Sequence, residues 1–287
     1  VIPHKREASP RGATMGLRED LRARFGEAPD VPDWAAPDVL APLAGRASCR
    51  DFADRPVDPG LVRLLCAVAL SAPSKSDLQQ RDIVLVEDRA VRAELDALVH
   101  EQPWVAAAPA FVMICGNNRR QRQIHALRGR PFPNDHLDAF FNAAVDAAIA
   151  LQAFVTAAEA VGLGCCPVSS VRDRAEEISD LLGLADHVFP VAGLALGWPA
   201  GEAVISPRLP LSVTVHVDRF DDSDLEARIE DYDKRRAAAQ PYPTQRMESD
   251  YGHDPSYGWS EDKARQYSRP QRAGFGAFVR GKGFDLG

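Results

Sequence analysis

The chain has 287 residues, 45% of them hydrophobic and 26% charged, an ordinary globular balance that needs no disulfide or metal to complete a core. Its formal charge of −7, from 34 Lys and Arg against 41 Asp and Glu, argues against a nucleic-acid partner, because no basic tract with interleaved aromatics offsets it. Five cysteines without a Cys-x-x-Cys pair point away from a disulfide framework or a zinc site and toward free thiols in a reducing, cytoplasmic compartment. Apolar runs such as 189–199 are too short to cross a bilayer, so no membrane partner is expected. The first eleven residues carry Lys5 and Arg6 with no apolar stretch behind them, unlike a secretory signal.

The first 45 residues read as an N-terminal arm, rich over 1–40 in Pro, Arg and Asp, with one short helix at 17–25. Apolar residues at helical spacing (Leu61, Leu64, Leu65, Val68) predict a helix over 58–72, opened by Asp58-Pro59. A buried strand at 83–86, a helix at 91–99 and a second apolar strand at 110–115 follow. Residues 117–135, polar and basic with Pro131 and Pro133, read as a long surface excursion. The longest helix signal is 136–161, about 39 Å at 1.5 Å per residue. Being apolar nearly all round, it must be covered on most sides, and a subunit interface is a natural use for part of it. Gly162 and Gly164 end it; a short helix at 174–182 and strands at 189–196 and 211–217 come next. A charged helix at 221–239, an aromatic tail from Pro241 and a last segment at 275–284 complete the chain. The pattern is α+β: a central mixed β-sheet flanked by helices, with N- and C-terminal extensions.

The dinucleotide, P-loop, zincin and nucleophile-elbow signatures are absent. The seven histidines are scattered without ligand spacing on a helix, so no metal site is expected, and His216 reads as a structural residue of the last strand. Three clusters instead suit an anion. Arg46, Ser48 and Arg50 stand within five residues, a set that matches a phosphate or another planar anion. Ser74-Lys75-Ser76-Asp77-Leu78-Gln79 is a turn dense in hydrogen-bonding groups. Arg208, between Pro207 and a Leu209-Pro210 pair, sits on stiff backbone that would present its side chain in a fixed place. Spacing alone leaves each cluster open: Arg46 and Arg50 equally suit ion pairs with Asp51 or Asp54, Lys75 simple solvation, and Arg208 a strand edge.

Taken in order, these clusters resemble the FMN-dependent nitroreductase family. That family opens with R-x-S-x-R-x-F and P-V, matched by Arg46, Ser48, Arg50, Phe52 and Pro56-Val57. Ala72-Pro73-Ser74 with Gln79, then Val161-Gly162-Leu163-Gly164, then Gly193 to Pro199 continue the match. Pro207-Arg208-Leu209-Pro210 and Val213 to His216 are similar to the NADPH-preferring flavin and nitro reductase group of the family. The likeness runs from Arg46 to about Phe220, and more loosely to Ser268-Arg269-Pro270. It departs at Ala47, at Asp77 where an Asn is usual, at Ser169 and Ser170 where close members have glycines, and at Ser206 where a Lys is frequent.

The resemblance implies an arm at 1–45, an FMN-binding core at 46–220 and a helical C-terminal extension at 221–287 that packs on the core or on the partner subunit. It implies that Arg46, Ser48 and Arg208 hold the FMN phosphate and ribityl end. Arg50 would lie near the pyrimidine edge, where a cation stabilises the reduced ring. Ser74, Lys75, Ser76 and Gln102 would bond the ribityl chain and ring edge, and backbone at Val168, Ser169 and Ser170 would face the ring. Arg269 and Arg128 are weaker suggestions for a nicotinamide-nucleotide phosphate or substrate. A homodimer with flavin at its interface is implied, as is ping-pong hydride transfer from NAD(P)H through FMN to a nitroaromatic, quinone or flavin, with no side-chain nucleophile. Two other functions stay open: a specialised FMN enzyme that oxidises or dehalogenates one metabolite, and a relative that binds a nucleotide or flavin without turnover.

Overall fold

The computed structural model describes residues 10–29, 37–202 and 204–287; the stretches of the expected arm at 1–9 and 30–36 lie outside them. The chain divides into two compact units, residues 1–47 with 203–271, and residues 48–202 with 272–287.

The second unit is built on a four-stranded sheet in the order β1-β2-β4-β3, where β1 is Arg81–Leu85, β2 Ala110–Asn117, β3 Gly164–Val168 and β4 Val188–Gly197. Along β2, Val112 and Ile114 enter one core, while Phe111, Met113 and Cys115 enter another. This period of two, with both faces covered, explains why β2 reads as an unbroken apolar run. Helices α3 (Pro59–Leu70) and α7 (Leu137–Ala160) cover the first face through Leu65, Ala69, Ala147 and Phe154. Helices α4 (Arg89–Leu98) and α8 (Ala175–Leu181) cover the second through Leu95 and Ile178. Close packing on the sheet demands glycine most tightly at Gly193 and Gly116. A Cβ on Gly193 would meet Phe111 Cζ at 2.2 Å, and one on Gly116 would meet Phe189 Cζ at 2.4 Å. Capping sets the helix starts: Asp58 accepts from Leu61 N at 3.0 Å, and Asp88 from Ala90 N and Val91 N at 2.8 and 3.0 Å. At the C-terminus, α13 (Phe275–Gly281) and Phe284 close over Phe140 of α7 and Phe189 of β4.

By length and apolarity α7 would suffice to cross a bilayer. Here its Ala139, Ala143, Ala147, Ala150 and Phe154 are buried, and Asp146 is fully buried midway along it.

In the first unit, α1 (Pro10–Phe25) packs with α2 (Pro37–Ala44), and α10 (Leu225–Ala239) with α12 (Trp259–Tyr267).

The α+β class holds, and the structure corrects four expectations. Every pairing in the described sheet is antiparallel rather than mixed. The strand expected at 211–217 is a short helix, Leu211–Thr214, followed by exposed Val215 and Val217. Its β-branched residues find no partner strand among the described residues, and β-propensity is realised only by pairing; His216 is accordingly not a strand residue. The excursion at 117–135 contains helix α6, Arg119–Leu127. Strand β3 was missed because Gly164 and Pro167 break the pattern, yet a proline is tolerated at a sheet edge.

Candidate functional site

In the first unit, Arg46 and Arg208 line one cavity of about 680 Å³ together with Arg24, Leu43, Tyr232 and Trp259. Three guanidiniums line it, and none of its lining residues is acidic. Arg24, nearly buried, braces the wall: its Nε donates to Ala44 O at 2.9 Å and its Nη2 to Arg46 O at 2.5 Å. The peptide of Arg208 is held from both sides. Its N–H donates to Arg24 O, and its carbonyl accepts from Arg235 Nη2, each at 2.5 Å. Tyr232 donates to Pro207 O at 3.1 Å, and burial pushes its phenol above the ordinary value, so it remains a donor. The stiffness expected of the Pro207–Pro210 segment is therefore reinforced by the Arg24 carbonyl and by the Tyr232 and Arg235 side chains, three residues that the sequence reading missed. Cations so concentrated in one apolar-walled cavity suit a phosphate.

In the second unit the turn 74–80 is strained and strongly anchored. Ser76, Asp77 and Gln79 have φ of 49°, 57° and 52°, a region that costs energy for residues other than glycine. Beneath the turn, Asp146 accepts from Ser74 Oγ at 2.8 Å, Lys75 N at 3.0 Å and Gln80 N at 2.9 Å. Buried Arg81 lies 3.8 Å from the same carboxylate and donates to the carbonyls of Leu70, Ala72 and Pro73. Asp77 takes neither Arg81 nor Lys75 as counter-ion; its Oδ1 accepts from Gln79 Nε2 at 3.0 Å. Ser74 spends its hydroxyl on Asp146 and Gln79 N, whereas Lys75 and Ser76 are exposed. Asp146 was not singled out from sequence, since an acid within an alanine-rich helix reads as a surface position.

A second group gathers around the segment 102–104. The chain at 49–53 is laid along the sheet by Cys49 N to Cys165 O at 3.0 Å and Ala53 N to Trp198 O at 2.8 Å. This places the Arg50 guanidinium over the Trp104 ring, 5.5 Å from its centroid, rather than in an ion pair with Asp51 or Asp54. Ser48 is exposed. Burial raises the Cys49 thiol beside it above its ordinary value. Gln102 Nε2 donates to Ser170 Oγ at 3.0 Å, and Val168 and Ser169 lie at the end of β3, just before it. Arg272 reaches the same turn, with Nε 2.7 Å from Asp173 and Nη2 3.5 Å from Ser169 Oγ.

Within the second unit these two groups stand at opposite sheet edges. The 74–80 turn leads into β1 and Val168–Ser169 ends β3, three strand spacings or about 14 Å apart. The weaker suggestions stand elsewhere. Arg269 pairs with Asp250 in the first unit. Arg128 is exposed after α6, whose basic character is partly neutralised by Arg120–Asp82 and Arg122–Asp135 pairs.

Comparison with known proteins covers most of the chain. The model of the nitroreductase family matches residues 43–198, and that of the nitroreductase family C-terminal domain matches residues 206–287. The FMN reductase [NAD(P)H] of Bacillus subtilis is 31% identical over 235 residues, 81% of this chain and 92% of that protein. The oxygen-insensitive NADPH nitroreductase of Salmonella typhimurium is 35% identical over 198 residues, 68% of this chain and 79% of that protein. Among solved structures, NfrA2 of B. megaterium superposes with a TM-score of 0.78 at 29% identity, over 87% of this chain and 99% of that one.

Proposed function

The chain belongs to the nitroreductase family, and on that premise we propose that it is an FMN-dependent NAD(P)H oxidoreductase acting on a small acceptor. FMN, when bound, supplies the atom that takes and gives hydride, with NAD(P)H as electron source and a nitroaromatic, quinone or flavin as acceptor. The observation that carries this reading is the cavity shared by Arg46 and Arg208, where guanidiniums meet without a carboxylate among the lining residues. That donor set fits the phosphate end of a mononucleotide.

Arg46 and Arg208 would hold that phosphate, with Ser48 close after Arg46 in sequence. Arg50, kept in place by Trp104, would stabilise negative charge at the pyrimidine edge. Lys75 and Ser76 would present donors from a turn already fixed by Asp146, leaving the Ser74 hydroxyl as part of the anchor. Gln102, Val168 and Ser169 would position the ring. No side chain is assigned a covalent or proton-transfer role; the protein binds, orients and excludes water.

A second copy of the chain completes the arrangement. The separation of the two groups across the sheet supports a site that takes the 74–80 turn from one protomer and the Arg50 and Val168–Ser169 groups from its partner. Leu137, Phe141 and Val145 of α7 expose one apolar stripe at four-residue spacing, and Leu64 and Val68 of α3 another, the kind of surface an obligate dimer covers. Five free cysteines support a reducing, cytoplasmic compartment.

The test is spectroscopic. The purified protein is expected to bind FMN, to bleach on adding NADPH or NADH, and to recolour with a quinone. Arg208→Ala removes a charge-assisted contact worth about 1.5–3 kcal/mol, or roughly 10- to 150-fold in FMN affinity. A colourless protein that takes up no added FMN, or full affinity in Arg208→Ala, would overturn the reading.

A further inference from the structure

The turn that follows β3, proposed to face the flavin ring, is pinned on its inner side by local contacts. Val168 and Val171 are fully buried. Ser170 Oγ accepts from Gln102 Nε2 at 3.0 Å, and Arg172 donates to Val191 O. Asp173 N closes the turn on Ser170 O at 2.9 Å. Two side chains stand outside this set, the exposed Ser169 and the half-exposed carboxylate of Asp173. Arg272, the first residue of the C-terminal part of this unit, meets both. Its Nε lies 2.7 Å from Asp173 Oδ1, and its Nη2 lies 3.4 Å from Asp173 Oδ2 and 3.5 Å from Ser169 Oγ. A guanidinium that meets both oxygens of a carboxylate is the strong, geometrically specific form of ion pair.

Three features set this contact apart from a casual surface pair. The Arg272 side chain is only 22% exposed, although Gln271 and Ala273 on either side are exposed. Its backbone has a φ of 54°, in the left-handed region that costs energy for a residue with a Cβ and persists where the surroundings enforce it. The segment behind it is firmly based, because Phe275, Phe278, Val279 and Phe284 pack around Phe140 and Phe189. The charge matters as well. Asp173 is the only acid in residues 168–175, and neighbouring Arg174 is turned to Glu177. A bare carboxylate on this turn would oppose the negative charge that a flavin gains on reduction, and one cancelled by a guanidinium would not.

We propose that Arg272 is a positioning residue for the flavin. It clamps Ser169 and Asp173 on the ring-facing turn and cancels the Asp173 charge, which keeps the reduction potential of bound FMN higher than the turn alone would allow. The inference rests on the proposed function for the place of the flavin, and the clamp itself rests only on the contacts of Arg272.

The experiment measures the two-electron potential of the FMN-loaded protein by anaerobic equilibration with a reference dye. Dithionite supplies the electrons, so the result does not depend on NAD(P)H. Arg272→Met should disfavour reduction about fivefold, or about 20 mV for a two-electron couple. Asp173→Asn should favour reduction by a similar factor. The double variant should return to within about twofold of wild type, because the two charges leave together. Loosening of the turn alone would move both single variants in the same direction. In FMN-stripped protein, Arg272→Met should speed amide hydrogen exchange across 169–173 by about threefold or more. Unchanged potentials in both single variants, shifts of the same sign in both, or unchanged exchange would overturn the proposal. Should Arg272→Met fail to fold, Asp173→Asn, at a half-exposed position, decides alone: without a rise in potential the proposal fails. A wild-type chain that takes up no FMN would sink the proposed function and the effect on potential with it, and the exchange measurement would still judge the clamp.

Discussion

Replacing Asp146 by alanine tests how the strained turn at 74–80 is held. The carboxylate is fully buried and accepts three hydrogen bonds, of which the one from Gln80 N comes from a residue 1% exposed. Leaving that N–H unpaired costs about 1–3 kcal/mol. Ser74 Oγ and Lys75 N are nearer solvent and can recover water. Arg81 loses its carboxylate neighbour but keeps three carbonyl partners, so the loss stays below the 3–5 kcal/mol of a fully broken buried pair, at about 1–2 kcal/mol. Alanine returns roughly 0.5 kcal/mol of helix propensity. The expected destabilisation is about 3 kcal/mol, or roughly 6–12 °C in Tm. Asp146→Asn keeps the shape but sets an NH2 against N–H donors, and about 2 kcal/mol is expected. Urea and thermal unfolding should be run on stripped protein as well as with FMN, because a ligand raises Tm by mass action. A stripped Asp146→Ala protein within 0.5 kcal/mol of wild type would refute the anchoring role.

Three other outcomes follow from the packing and the charges. Gly193→Ala would drive a methyl to 2.2 Å from Phe111 Cζ in the centre of the sheet; a loss of about 2–4 kcal/mol is expected by chemical denaturation. Asp262 is 2% exposed in its side chain. Burial alone would raise its pKa, yet Lys263, Tyr257 and Arg246 outweigh burial and the net direction is downward. A depressed carboxylate adds stability above its unfolded value near 4, lost as pH falls through the folded value. The stability gap between wild type and Asp262→Asn should therefore be open at pH 7 and close in stronger acid, and a gap constant with pH would contradict the assignment. Cys115 is fully buried, and burial pushes its thiol up to about 12. Iodoacetamide at pH 8 should label it only after denaturation, as peptide mapping would read.

The elements that could be read from sequence are those whose signals are local. Asp58-Pro59 and the apolar spacing after it placed α3, the continuous run at 110–115 placed β2, and the alanine-rich stretch after His136 placed α7. Where structure depends on a distant partner, the same signals misled. Val213, Val215 and Val217 look like a strand but have no strand to pair with among the described residues, whereas Gly164 to Val168 looks like a break but is paired along its length with β4.

The site divides in the same way. Sequence order and residue type single out Arg46, Arg50, Lys75 and Arg208 as candidates and, through the motif they share with a family, suggest a kind of ligand; of these the structure brings Arg46 and Arg208 to one cavity. Composition carries that much because anion binding needs guanidiniums and donors whatever the fold. Only the folded chain decided that Arg24 and Arg235 clamp the Arg208 peptide, that Trp104 lies beneath Arg50, and that Asp146 is an anchor rather than a surface acid. Those roles arise from burial and from partners tens of residues away, and neither is a property of any local stretch of sequence.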